Sequence, residues 1–194
     1  MYPLKFKQVN KMKSVIKQII IITTFTLIFE SPIHAQEDKK YNFIGINPGV
    51  TVEPYYEKGE FDINIFPLVY QRSLSKRFDI RLASTLNLGV RNNGNGISHM
   101  GIETAFPIYL KKKEIKSEIP KGFFVAPILS LGRNKMEAYN SIGLWVEPGY
   151  HLLFENNFAM TFGLQLGGTY FPHDNEQARW GNHFGIIIIF GKWL

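Results

Sequence analysis

The stretch "FDIRLASTLNLGV" (78–90) alternates with a period of two. Its even positions Phe78, Ile80, Leu82, Leu86, Leu88 and Val90 are apolar, with Ser84 the exception, and its odd positions are Asp79, Arg81, Ala83, Thr85, Asn87 and Gly89. That period belongs to a β-strand. A strand with one face in water normally carries Lys, Glu and Thr on its polar face. Here that face carries small residues and one charged pair, so the large apolar face needs somewhere other than a soluble core to go.

The pattern recurs along the chain, in segments separated by polar, Gly- or Asn-bearing breaks. Eight segments are predicted, at 41–52, 61–71, 78–90, 98–110, 122–133, 141–152, 158–170 and 181–193, with no long amphipathic helix between them. The breaks 53–60, 91–97, 134–140 and 172–180 alternate with "RSLSKR" (72–77), "KKKEIKSEIPK" (111–121) and "FENN" (154–157). A weak repeat supports this division: Pro67 with Tyr70, Pro107 with Tyr109 and Pro148 with Tyr150 recur at spacings of 40 and 41 residues, one up-and-down hairpin. Pro48, Pro67, Pro107, Pro127 and Pro148 fall inside predicted strands and are expected at bulges or strand ends.

Charge separates the two faces. Within the segments nearly all of it is Asp62, Asp79, Arg81, Glu103 and Glu147, on the face of small residues. Small residues with a few charges fit the interior of an eight-stranded barrel, and the large apolar face then points to lipid. Pairing the second and third segments through "RSLSKR", with 79 near 70, sets Asp62 opposite Asn87 and Asn64 opposite Thr85. The polar faces then coincide.

The N-terminus supplies a route of export. Lys5, Lys7, Lys11, Lys13 and Lys17 precede the eleven-residue stretch "IIIITTFTLIF" (19–29), and "ESPIHA" ends on a small residue. The stretch is too short for a membrane-spanning helix, which needs about 20 residues. Cleavage is expected after Ala35, and Met12 is an alternative start. Residues 1–35 hold 5 of the 22 Lys and Arg and one of the 16 acidic residues, so the remainder carries 17 against 15, a net +2. The basic balance lies mostly in the signal segment and gives no argument for nucleic acid. With no cysteine, neither a disulfide framework nor a thiolate metal site is available.

On the signal segment, the eight segments, the aromatic strand ends Tyr70, Tyr109 and Tyr150, and the terminal "HFGIIIIFGKWL", the chain resembles the small outer-membrane β-barrel proteins of Gram-negative bacteria, the OmpA/OmpX-like group. The resemblance implies an all-β fold: an eight-stranded antiparallel up-and-down transmembrane β-barrel preceded by a cleavable signal peptide, with 1–35 as signal and 36–194 as the outer-membrane domain. It implies outer-membrane lipid and the barrel-insertion machinery as partners. "KKKEIKSEIPK" is longer than the turns usual on the periplasmic side.

Chemistry is sparse. Some small barrels of this kind are lipid A deacylases or palmitoyltransferases with a Ser, a His and an acid at the lipid-facing rim. Ser98, His99 and Glu103 are the nearest set here, but adjacent residues of a regular strand point to opposite faces. His173, Asp174 and His183 bracket the last break without a fixed metal geometry. No catalytic, cofactor or metal residue is assigned, and the site expected instead is a structural polar network in the lumen, Arg81 with Asp79, Glu103 and Glu147. The expected function is a non-enzymatic outer-membrane barrel, serving envelope integrity or presenting loops to a partner. The alternatives are a lipid A-modifying enzyme and a secreted soluble barrel for a small apolar ligand.

Overall fold

The computed structural model describes residues 41–51, 57–75, 77–110, 119–136, 138–172 and 179–194. The predicted signal peptide, and His173 and Asp174, lie outside these.

Eight antiparallel strands close into a barrel. The first runs in two pieces, Asn42–Ile46 and Val50–Thr51, and so does the second, Phe61–Asn64 and Leu68–Ser73. The third is Asp79–Val90, and the fourth is Gly96–Ala105 with Ile108–Tyr109. The fifth to eighth are Gly122–Asn134, Asn140–Leu153, Phe158–Phe171 and Arg179–Trp193. Each pairs with its neighbour in sequence, and Phe43↔Trp193 through Ile46↔Phe190 join the first to the last. Between the sixth and seventh strands the tight turn Glu155–Asn157 uses positive φ at Asn156 and Asn157, a region that asparagine tolerates.

Burial follows parity. In the sixth strand Ser141, Gly143, Trp145 and Glu147 are buried while Ile142, Leu144, Val146 and Pro148 are exposed. The third strand buries Asp79, Arg81, Ala83, Asn87 and Gly89. The interior also holds large rings, Phe43, Tyr109, Phe124, Trp145 and Trp193, and the aliphatic Ile187 and Ile189. The inward face is therefore not uniformly small. Rings fit because glycines face them: a Cβ at Gly149 would stand 2.4 Å from the Phe124 ring, and one at Gly191 2.4 Å from that of Phe43.

Register differs from the sequence expectation. Ser73 pairs with Asp79 and Val69 with Ala83, and farther along Asp62 pairs with Gly89 and Asn64 with Asn87. Between Asn64 and Val69 the second strand has one residue more than either neighbour needs, because Ile46↔Leu68 gives way to Val50↔Ile63 on the other side. This bulge reverses the parity, so Asp62 and Val69 both point inward. It also accounts for Ser84, the polar exception on the apolar face. Ser84 Oγ donates to Phe66 C=O (2.7 Å) and accepts from Leu68 N–H (3.1 Å), while Asn64 Oδ1 accepts from Leu86 and Phe66 N–H.

The prolines are not confined to strand ends. Pro127 and Pro148 sit within continuous strands. Pro67, Pro107 and Pro127 each keep a carbonyl bond, from Asn47, Asp79 and Phe106 N–H respectively, so only the donor half of a ladder pair is lost.

Ser84→Ala removes the group that bridges the bulge and leaves a backbone donor and acceptor unpaired on the apolar surface. Urea unfolding of the folded barrel is expected to show a loss of about 1–3 kcal/mol, whereas Leu86→Ala, which keeps the brace, is expected to leave the amide exchange of Leu68 unchanged.

Candidate functional site

The polar side chains of the interior form two linked groups. Toward the end that carries both described chain ends, Gln71 of the second strand donates through Nε2 to Asp79 Oδ2 (2.8 Å) and to the Tyr109 hydroxyl (3.2 Å). Trp193 Nε1 donates to His151 Nε2 (3.1 Å). That bond places the His151 proton on Nδ1, which donates to Thr161 Oγ1 at 2.6 Å. Around them Phe43, Tyr109 and Trp193 stand against His151 at ring separations of 6.2, 6.2 and 5.9 Å. Ile119 belongs to the buried cluster of Phe43, Val69, Ala83, Ile187, Ile189 and Trp193, with Pro120 also buried. The far end of the long "KKKEIKSEIPK" connection thus returns apolar side chains to the barrel and closes this end.

The second group lies nearer the barrel's middle. Arg81 on the third strand reaches Glu147 on the sixth, Nη2 to Oε2 at 2.5 Å, and they are 4% and 0% exposed. The pair ties two walls of the lumen that are not neighbours in the sheet. Gln165 on the seventh strand donates through Nε2 to Glu103 Oε2 (3.3 Å) and Glu147 Oε2 (3.4 Å). With its nitrogen turned to the carboxylates, its Oε1 accepts from His183 Nε2 (3.2 Å), and the His183 ring stacks on Trp145 at 3.6 Å and 8°. Among the described residues, Glu147 Oε1 and Trp145 Nε1 are buried without a hydrogen-bond partner.

The predicted network residues are thus placed in two groups. Arg81, Glu147 and Glu103 meet through Gln165, whereas Asp79 joins Gln71 and Tyr109. Sequence reasoning did not single out Gln71, Gln165, Thr161 or Trp193. Their odd positions put them on the inward face, and that parity was the available signal.

Ser98, His99 and Glu103 do not assemble. Asn87 pairs with His99 and Leu88 with Ile97, so Ser98 is the extra residue of a second bulge. Both residues consequently face the interior, contrary to the expectation of opposite faces. Ser98 Oγ donates to Asn87 C=O (3.3 Å), His99 lies where a Gly132 Cβ would stand, and Glu103 is held by Gln165. Among the described residues no cluster of His, Cys, Asp and Glu has a metal-holding arrangement.

At the opposite end, Arg91 pairs with Asp62 Oδ1 at 2.7 Å, and Glu60 accepts from Asn92 N–H at 3.0 Å. That backbone donor is the main reason the Glu60 carboxyl sits below its ordinary value. The clasp joins the break after the first strand to the one after the third.

Comparison with family models, with curated proteins and with solved structures returned no match.

Removing one member of a buried ion pair strands the other, at a cost of about 3–5 kcal/mol where both are dry. Arg81→Met is therefore expected to lower the urea midpoint of the folded barrel. Adding Glu147→Gln is expected to recover part of the loss, and adding Asp79→Asn is expected to recover none.

Proposed function

We propose that the chain is a non-enzymatic outer-membrane β-barrel protein, exported through its N-terminal signal segment, contributing to envelope integrity or presenting its loops to a partner. The observation that carries this reading is the outward face of a closed barrel. Ile44, Leu68, Ile102, Leu131, Leu144, Phe162, Leu164 and Ile186 all stand exposed there. Among the described side chains of the strands, the outward charges are Arg72, Arg133 and Lys192, at strand ends. From Ile142 to Leu152 the sixth strand's outward positions stay apolar. At a rise of about 3.3 Å per residue and a tilt of about 40°, that run covers about 25 Å, the height of an outer-membrane apolar band. Water would leave such a belt uncovered, and lipid covers it.

The closed turn end and the crossed ion pair support a structural barrel over a conducting one, since eight strands leave an interior only wide enough for side chains. With both described chain ends on the periplasmic side, the breaks 53–60, 91–97, 134–140 and 172–180 face outward from the cell. Their length and polarity suit them to contact a partner.

Folded in detergent, the exported chain is expected to show gel mobility that changes on heating and to fractionate with outer membranes. Cysteine at Asn95 is expected to react with an impermeant maleimide on whole cells and cysteine at Ser75 is not. A monomer soluble without detergent would sink the proposal, and reversed labelling would overturn the orientation.

A further inference from the structure

The seam that closes the barrel changes along its length. The eighth strand is 15 residues long, and among the described residues it pairs with the first only from Phe190 to Trp193. Leu194 N–H donates to Asn42 C=O at 2.7 Å, so alternate residues from there, Ile44 and Ile46 on one strand and Lys192 and Phe190 on the other, turn their main-chain groups toward the seam. Two residues further in the same register, Pro48 stands opposite Ile188, and it has no N–H to give. Beyond it Val50 pairs only with Ile63 of the second strand, although its place in the register is opposite Ile186. Among the described residues the seam is parted from Asn47 to Thr51 and from Gly185 to Ile189.

Packing changes at the same point. A Cβ on Gly45 would stand 2.5 Å from Phe190 O and one on Gly191 2.3 Å from Ile44 O, so the backbones are in close contact there. A Cβ on Gly49 would meet nothing within 4 Å, and the nearest neighbours of one on Gly185 would be the side chains of Gln165 and His183, no closer than 3.1 Å. The rims are apolar and open, with Val50 67% and Ile186 71% exposed. Behind them Ile187 and Ile189 belong to an apolar interior cluster with Val69 and Ala83.

We propose that this seam is a lateral slot that admits the hydrocarbon chain of a membrane lipid between the first and eighth strands. The proposal rests on the membrane reading above. Apolar rims, inward glycines on both sides and an aliphatic cluster behind match a hydrocarbon chain. Pro48 removes the donor that would otherwise zip the strands together.

The test uses the exported chain in phosphatidylcholine vesicles with nitroxide-bearing acyl chains, read by amide signals. Gly49 and Gly185 are expected to broaden severalfold more than Gly101 and Gly132, inward glycines away from the seam. The excess is expected to vanish in Pro48→Ala, or, should that strand stay apart, in Val50→Cys/Ile186→Cys closed by a short thiol-reactive linker. Equal broadening at all four glycines in the unmodified chain would overturn the slot. So would a two-chain adduct formed by cysteine at Ile186, which would mean that a second copy covers the edge. Failure of the chain to float with vesicles would defeat the membrane reading instead, and is scored separately.

Discussion

Closing an eight-stranded sheet with its large apolar face outward leaves a narrow interior in which a buried charge is costly unless it is paired inside the barrel. The Arg81–Glu147 pair meets that constraint most directly, because it spans the lumen and neutralises two charges that are almost completely out of water. The second acid of this group, Glu103, is held through Gln165, which bonds both carboxylates and hands its own oxygen to His183. A single amide thereby connects strands four, six, seven and eight to the ion pair that starts on strand three. Replacing it with an apolar residue would unpair several groups at once, which is why a glutamine is suited to that position.

Glycine and aromatic residues solve the volume half of the same problem. A small barrel cannot hold rings at every inward position, and here three of the five interior rings lie over a glycine on their own or a neighbouring strand: Phe43 over Gly45 and Gly191, Phe124 over Gly149, Trp145 over Gly143 and Gly167. The rings concentrate at the turn end with Ile119, while small and polar residues such as Thr85, Ser130, Gly132 and Gly185 line the rest and stay partly exposed. The interior is therefore polarised along its axis, closed by aromatic packing at one end and more open toward the long breaks.

Strand number, order and faces were legible in the sequence because period-two alternation with the charges on one side is a direct record of inside and outside. Arg81, Glu103 and Glu147 were found by parity alone. What parity does not record is depth, so it could not tell that Arg81 meets Glu147 while Asp79 lies with Gln71 and Tyr109. Nor does it survive an inserted residue. Ser98 breaks the fourth strand's alternation, which accounts for its misread face, and the extra residue after Asn64 breaks the second's; the register is shifted because the hairpin closes as early as Ser73↔Asp79. Ser84 was visible as an anomaly in the alternation, but its meaning required knowing which backbone groups the bulge leaves free.

The same bulge bears on the seam. Pro67, Pro107 and Pro127 each remove a donor, and in each case the strands stay together because the neighbouring ladder bonds hold them and the proline carbonyl still accepts. Pro48 has the same chemistry with a different result. Its strand is paired on the other side to the second strand, whose extra residue shifts the register from Ile46↔Leu68 to Val50↔Ile63 and bends that ribbon. The first strand follows the partner it remains bonded to and leaves the eighth, where the missing N–H has already weakened the ladder. Removing the donor alone does not part a barrel. A proline at the closing seam, beside a bulge that draws the strand the other way, does.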